Sequence, residues 1–460
     1  MNYRPHLKPN FLLAYPVMLS MLGQVMTGVA DSIMIGWTGT TPLAASSFAN
    51  IFFSIPLFFG IGVSYAITPL VAQAEGAKDT NKIISTLKNG TLINLVTGFV
   101  LVGLIFLIEP FMYSMGQPEE VVTLGVPYLN IIAISIIPAM IFQTYRQFAE
   151  GLQRTRVAMI IVVLSNLINI ALNYVFIFGH YGFPAMGING AGWATLIARI
   201  IMALSMMAYV FYGKKFQAFT AGFSIGNYSR ALISKMLHIG LPAGSLFIFE
   251  AGAFGFSAIM MGWLGTTTLA AHQIAINLAT ISYMITSGMG AAATIRVGNF
   301  WGQRDRSNLR AAAFTMIGMA GVLMLAWAML FVFGRHLLPS LYIDDPAVIK
   351  ITATLLIIAA FFQLSDGIQV VTAGALRGLQ DVKVPSLLVF ISYWVIALPL
   401  GYWLAFPLAM GANGIWIGLS VGLTLTAAAM IVRFNRLSKE LSIQLTTEVT
   451  KFAQGTQVTL

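Results

Sequence analysis

The sequence predicts an all-α membrane protein of twelve transmembrane helices, arranged as two parallel, pseudo-symmetric six-helix lobes. Three observations predict it: a composition too apolar for solution, twelve apolar runs whose connecting loops alternate in charge, and an ungapped internal repeat.

Of 460 residues, 58% are hydrophobic and only 9% are charged. A soluble domain carries roughly a quarter charged residues, so most of this chain's surface must face hydrocarbon. With no cysteine in the chain, disulfide frameworks, zinc–thiolate sites and cysteine nucleophiles are excluded. The five histidines show no metal-binding spacing. Gly-rich phosphate loops are absent, which argues against ATP-driven transport by this chain alone.

A hydrocarbon core about 30 Å thick takes about 20 apolar residues per helix. Such runs fall at 11–36, 46–71, 88–108, 124–145, 157–179, 188–213, 236–262, 270–297, 312–334, 349–375, 384–406 and 411–433. The first is too long for a cleavable signal and reads as a span. Residues 37–45 and 263–269 read as short turns. The polar tail from 437 to 460 is expected to be poorly ordered, with a docked amphipathic helix as the alternative.

Charge sorts the loops. Twenty-two of the 25 basic residues fall at the N-terminus, in every second loop or in the tail, all on one side. Arg146, Arg154 and Arg156 are read as loop residues among them. The opposite side carries only Arg335 and Lys350, beside Glu109, Glu119, Glu120, Asp344 and Asp345. Basic loops face the cytoplasm, so both termini are expected there. The net charge of +10 is then a topology signal, and no nucleic-acid partner is expected.

The halves match at a shift of 226 residues. Residues 33–45 read IMIGWTGTTPLAA and residues 259–271 read IMMGWLGTTTLAA, identical at ten of thirteen positions. The same shift pairs Pro16 with Pro242, Gly62 with Gly288, Val71 with Val297 and Gly76 with Gly302; at a shift of 227, Gly151-Leu152-Gln153 pairs with Gly378-Leu379-Gln380. Six spans per copy make the copies parallel, related by an axis along the membrane normal as in some transporters. The expected organisation is an N-terminal lobe (1–213), a linker (214–235), a C-terminal lobe (236–433) and a tail (434–460). The bland alternative is a duplication kept for packing alone.

Of fifteen acidic residues, only Asp31, Glu250 and Asp366 lie inside apolar runs. A charge at the bilayer centre costs at least about 3 kcal/mol. Each of the three must therefore be protonated, paired or bound to a cation, and carboxylates can exchange protons or sodium. The alternative for Asp31 is a helix-end position near the interface. Asn169 and Asn173 lie four apart on one face of span 5. Their oxygens suit a cation, or they are hydrogen-bonding glue between helices. Thr195 in span 6 is a similar candidate. Arg199, the one basic residue well inside a span, either snorkels or pairs with a carboxylate. Pro16 and Pro242 are candidates for bending spans 1 and 7, since proline removes a helical hydrogen bond. Phe254, one turn after Glu250, and Tyr283 add aromatic faces that suit an organic cation.

On these residues the chain resembles the multidrug and toxic compound extrusion family, and its bacterial NorM-type branch in particular. The resemblance covers 11–435. It rests on Pro16 and VADSIMIGW in span 1, GWLGTTTLAAHQ across spans 7 and 8, Phe249-Glu250, Asn169 and Asn173, and FQLSDG around Asp366. It implies secondary active efflux of cationic lipophilic compounds in exchange for Na⁺ or H⁺. The family's N-lobe cation site is similar to Asp31, Asn169, Asn173 and Thr195; its C-lobe acids match Glu250 and Asp366. Phe254, Gln273 and Tyr283 match positions near bound cation or drug, so the implied substrate-binding set is Asp31, Glu250, Phe254, Gln273, Tyr283 and Asp366. Phe362 departs from the pattern, because some members carry tyrosine four residues before the span-10 acid.

The expectation is thus a monomeric multidrug antiporter of the bacterial inner membrane. Its partners are organic cations and lipids, with no cofactor and no metal beyond the coupling Na⁺ or H⁺. A lipid-linked oligosaccharide flippase of the related superfamily is the alternative; it would be expected to carry more basic residues within its spans than Arg199. An intramembrane enzyme is the alternative of another class, but no nucleophile cluster or metal motif is present.

Overall fold

The computed structural model describes residues 3–224 and 226–455, with 441–455 by backbone alone. Among these, twelve helices are long and apolar enough to cross a membrane. The first six are α1 (Arg4–Gly36), α2 (Thr40–Gly76), α3 (Thr80–Ser114), α4 (Glu119–Gly151), α5 (Arg156–Phe178) and α6 (Ile188–Tyr212). The second six are α7 (Arg230–Trp263), α8 (Thr266–Gly302), α9 (Arg306–Gly334), α10 (Pro346–Gly378), α11 (Lys383–Ala405) and α12 (Ala412–Glu440). No described residue is in a strand. An all-helical solution follows from hydrocarbon itself, which offers no partner to an unpaired backbone group.

Several boundaries move. The turns read at 37–45 and 263–269 shrink to 37–39 and 264–265. Gly39 (φ 134°) and Gly265 (φ 114°) adopt backbone conformations that favour glycine, so the next helix restarts at once. α1 and α7 stay helical through Pro16 and Pro242. The helix that contains α12 continues to Gly455, so the tail is helical that far; 456–460 lie outside the described residues. α11 contains a π-helical segment, Ile391–Ala397.

The repeat is visible in packing. A Cβ on Gly151 would lie 2.8 Å from Val71 and 3.1 Å from the Thr68 carbonyl; one on Gly378 would lie 2.8 Å from both Val297 and the Thr294 carbonyl. The Thr68 hydroxyl donates to the Gln147 carbonyl at 3.2 Å, and Thr294 to that of Gly374 at 2.8 Å. Each half also starts its third helix alike. Asp79 Oδ1 accepts from the Lys82 amide at 3.0 Å, and Asp305 Oδ1 from the Asn308 amide at 3.1 Å. These are N-caps that satisfy donors the helix start leaves open.

By contacts, the chain divides into two compact units. One is Leu13–Gly252; the other joins Ala253 onward with the residues up to Leu12. The starts of α1 and α7 are therefore exchanged relative to the sequence halves. Within the first unit, α7 approaches α2 so closely that a Cβ on Gly62 would lie 2.4 Å from Gly244 Cα. Within the second, Asn10 Nδ2 donates to the Ala312 carbonyl at 2.9 Å, and Arg296 donates to Asn10 Oδ1 at 3.2 Å. The apolar core of the first unit gathers Met34, Ile35, Phe53, Ile105, Met112, Tyr128 and Leu129.

One reading is corrected. Arg146 is not a loop residue, and it has Glu150 as its partner. Both lie inside α4, 0% and 1% exposed, with Arg146 Nε 2.7 Å from Glu150 Oε1. The spacing of four places them on one helix face, so the pair neutralises itself and the helix can carry it into the interior.

In the second unit, α8 and α10 meet at glycine. A Cβ on Gly374 would lie 2.1 Å from the Gly290 carbonyl oxygen, a backbone atom with nowhere to go. Gly374→Ala should lower the thermal unfolding midpoint in detergent, as overpacking by about 1–3 kcal/mol does. Gly318→Ala, with no atom within 4 Å of its Cβ, should leave the midpoint unchanged or raise it, since alanine is the better helix former. Equal midpoints for Gly374→Ala and Gly318→Ala would contradict this account of the contact.

Candidate functional site: buried carboxylates in each unit

Three helices of the unit Leu13–Gly252 assemble the first site. Asp31 comes late on α1, Asn169 and Asn173 stand one turn apart on α5, and Thr195 lies on α6. α6 can start close against α5 because Gly190 has no Cβ; one there would lie 2.6 Å from the Phe176 backbone. Asn173 Nδ2 donates to Asp31 Oδ1 at 2.6 Å, and the Thr195 hydroxyl donates to Asp31 Oδ2 at 3.1 Å. Behind the carboxylate, Asn173 Nδ2 also reaches Asn169 Oδ1, and Asn169 Nδ2 reaches Thr195 Oγ1, both at 3.4 Å.

Asn169 and Asn173 are fully buried, and Asp31 is 9% exposed. Asp31 thus faces the interior of the protein. Asn173 Oδ1 is buried with no hydrogen-bond partner. A carboxylate, two amides and a hydroxyl are bonded into one cluster, and one amide oxygen is left over. Hard cations take oxygen-rich sets of this kind.

Arg199 does not pair with Asp31. It stands one turn beyond Thr195 on α6, where Nη1 donates to Ser135 Oγ at 2.7 Å and the guanidinium lies 4.9 Å from the centroid of the Phe53 ring. Ser135 sits where α4 is interrupted, between the helical stretches Glu119–Ile134 and Ile136–Gly151.

The second unit places Asp366 mid-α10, 5% exposed. Polar side chains one turn away flank it. Gln363 and Ser282 are both fully buried and bonded to each other, Ser282 Oγ to Gln363 Oε1 at 3.0 Å and Gln363 Nε2 to Ser282 Oγ at 2.7 Å. Gln369 Oε1 accepts from the Tyr393 hydroxyl at 3.3 Å. Tyr393 belongs to the π-helical segment of α11, a feature frequent at functional sites, and its ring centroid lies 5.9 Å from that of Phe254. Phe254 is thereby linked through Tyr393 and Gln369 to the helix that carries Asp366. Tyr283 is half-buried beside Ser282 on α8, and Gln273 is exposed two turns past its start. Glu250, 7% exposed, belongs to the other unit, near the end of its part of α7.

Gln363, Gln369, Ser282 and Tyr393 were not among the residues singled out from sequence. Gln363, Asp366 and Gln369 recur at intervals of three in an otherwise apolar span, and that spacing is the signal that points to the two glutamines. Tyr393 depends on the π turn, which has no comparable signature.

The profile of the MatE family matches residues 16–175 and again 242–403, one match in each half. The Probable multidrug resistance protein NorM of Agrobacterium fabrum is 34% identical over 439 residues, covering 94% of each chain. The Multidrug resistance protein NorM of Photobacterium profundum is 33% identical over 440 residues, covering 94% of this chain and 96% of its own. A crystal structure of a eukaryotic MATE transporter aligns with a TM-score of 0.86 at 19% identity, covering 96% of this chain and 99% of that one. Another, of a MATE protein in the bent conformation, aligns with a TM-score of 0.86 at 20% identity, covering 95% and 97%. At such identities the structural likeness speaks to the fold.

Proposed function

The chain belongs to the MatE family, and from that premise we propose that it is a secondary active multidrug exporter, exchanging cationic lipophilic compounds for Na⁺ or H⁺. It is a multi-pass membrane transporter and not an enzyme.

The observation that carries the exchange is the burial of three carboxylates, Asp31, Glu250 and Asp366. A buried carboxylate needs a positive partner or a proton. An inorganic cation, a proton and an organic cation all meet that need, and they exclude one another. Exchange then follows from competition: outward-facing protein gives up drug and takes the ion, and inward-facing protein gives up the ion and takes drug. Phe254, Tyr283 and Gln273 supply aromatic and amide contacts for the drug, and Pro16 and Pro242 supply the points at which α1 and α7 bend. The two six-helix repeats, 1–213 and 236–433, act as the alternating halves. The chain works as a monomer in the bacterial inner membrane with its basic loops and both termini in the cytoplasm.

The test is purified protein in lipid vesicles, with Na⁺ and H⁺ gradients imposed separately. A fluorescent lipophilic cation should move uphill only against an opposing gradient of the coupling ion, and stop when an ionophore collapses it. Movement indifferent to both gradients would overturn the antiport reading.

A further inference from the structure

We propose that Arg199 is the resident counter-cation of Asp31. It is parked on Ser135 and Phe53 while the carboxylate holds its transported cation, and it moves to the carboxylate when that cation leaves. The inference rests on the antiport reading and assigns a positioning role to a residue that reading does not use.

Arg199 stands on α6 four residues after Thr195, whose hydroxyl is bonded to Asp31. Residues four apart share a helix face, about 5–6 Å between Cβ atoms, so a guanidinium on its long stem can reach from one turn to the next. The tether is slight. One nitrogen donates to a neutral hydroxyl, and the planar group lies against one aromatic face. A guanidinium has five N–H donors in a fork suited to a carboxylate, and Ser135 occupies one nitrogen. Ser135 itself is fully buried at the interruption of α4, so the parking place is built into the backbone of a third helix.

The carboxylate supplies the other half. At 9% exposure it cannot be left bare when its cation departs, because an uncompensated buried charge is strongly unfavourable. A tethered arginine fills that vacancy and weakens every diffusible cation that competes for it. The site can then release its ion as well as bind it.

Two substitutions separate this role from a merely structural one, because they act in opposite directions. Arg199→Gln removes the competitor, and the half-saturating concentration of the coupling ion for vesicle exchange should fall on the order of tenfold, the size of a charge a few ångströms away at partly screened range. Ser135→Ala removes the parking place, and the same concentration should rise. Arg199→Lys keeps the charge and should stay closer to the parent protein than Arg199→Gln. Read as equilibrium binding of the ion to the purified protein rather than as exchange, both shifts should vanish in an Asp31→Asn background, where the remaining binding is that of Glu250 and Asp366. Shifts of the same sign, no shift, or shifts that persist without Asp31 overturn the proposal. If Arg199→Gln fails to fold, the Ser135→Ala shift and its dependence on Asp31 decide alone. A parent protein indifferent to both ions would instead overturn the antiport reading.

Discussion

Asp366→Asn and Glu250→Gln should each abolish ion-driven dye efflux while leaving folding and membrane insertion intact. Each substitution keeps the side chain's size and its capacity to hydrogen bond but removes its ability to carry a charge or exchange a proton. Folding should survive because burying an amide is less costly than burying a carboxylate, and the glutamines on either side of Asp366 remain as neighbours. Function should not survive, because a neutral amide gives ion and drug nothing to compete for. A charge-assisted contact is worth about 1.5–3 kcal/mol, so loss of one such contact weakens ion or drug roughly ten- to a hundredfold. Loss of the competition itself removes the coupling altogether. The measurement is efflux under an imposed gradient, normalised to the amount of folded protein in the vesicles. Undiminished efflux in both variants would sink the proposed mechanism.

The scaffold was largely legible in the sequence because its determinants are periodic or repeated. Apolar runs of span length, alternating loop charge and the 226-residue repeat are statements about many residues at once, and no single contact can overturn them. The cluster of Asp31, Asn169, Asn173 and Thr195 was legible for a different reason. The cost of polar groups within apolar spans singled out each residue, and the family resemblance grouped them, although neither says that Asn173 would bond Asp31 directly. What stayed hidden depends on the ends and irregularities of helices. Arg146 read as a loop residue because it follows the apolar part of α4, yet the helix runs on to Gly151 and buries it with Glu150. The assignment of the start of α1 and of α7 as far as Gly252 to the opposite compact units leaves no trace in hydropathy. The position of Arg199 turns on where α4 is interrupted, and Ser135 in an apolar stretch does not announce that.

The Arg146–Glu150 pair supports the second large prediction. Arg146→Ala should destabilise the protein by about 3–5 kcal/mol, because it strands a carboxylate that is 1% exposed. Arg146→Met combined with Glu150→Leu should restore most or all of that loss, because apolar residues of similar volume cost nothing to desolvate. Thermal unfolding in detergent would measure both. The second half of the chain gives an independent reason to expect the rescue. At the positions matching Arg146 and Glu150 it carries Ala373 and Arg377, so an acid–base pair between those two positions is not repeated, and it still makes the same glycine–valine contact. The helix crossing therefore does not require an ion pair between these two positions. Two guanidinium nitrogens of Arg146 and Glu150 Oε2 are buried with no hydrogen-bond partner, so the pair is also poorly satisfied for an element kept for stability. A double variant no more stable than Arg146→Ala would show that α4 needs the pair to pack. A double variant that is stable but slow in exchange would mean that the strained polarity serves the moving protein instead, where an interior that is not at its best in one conformation can lower the barrier to the next.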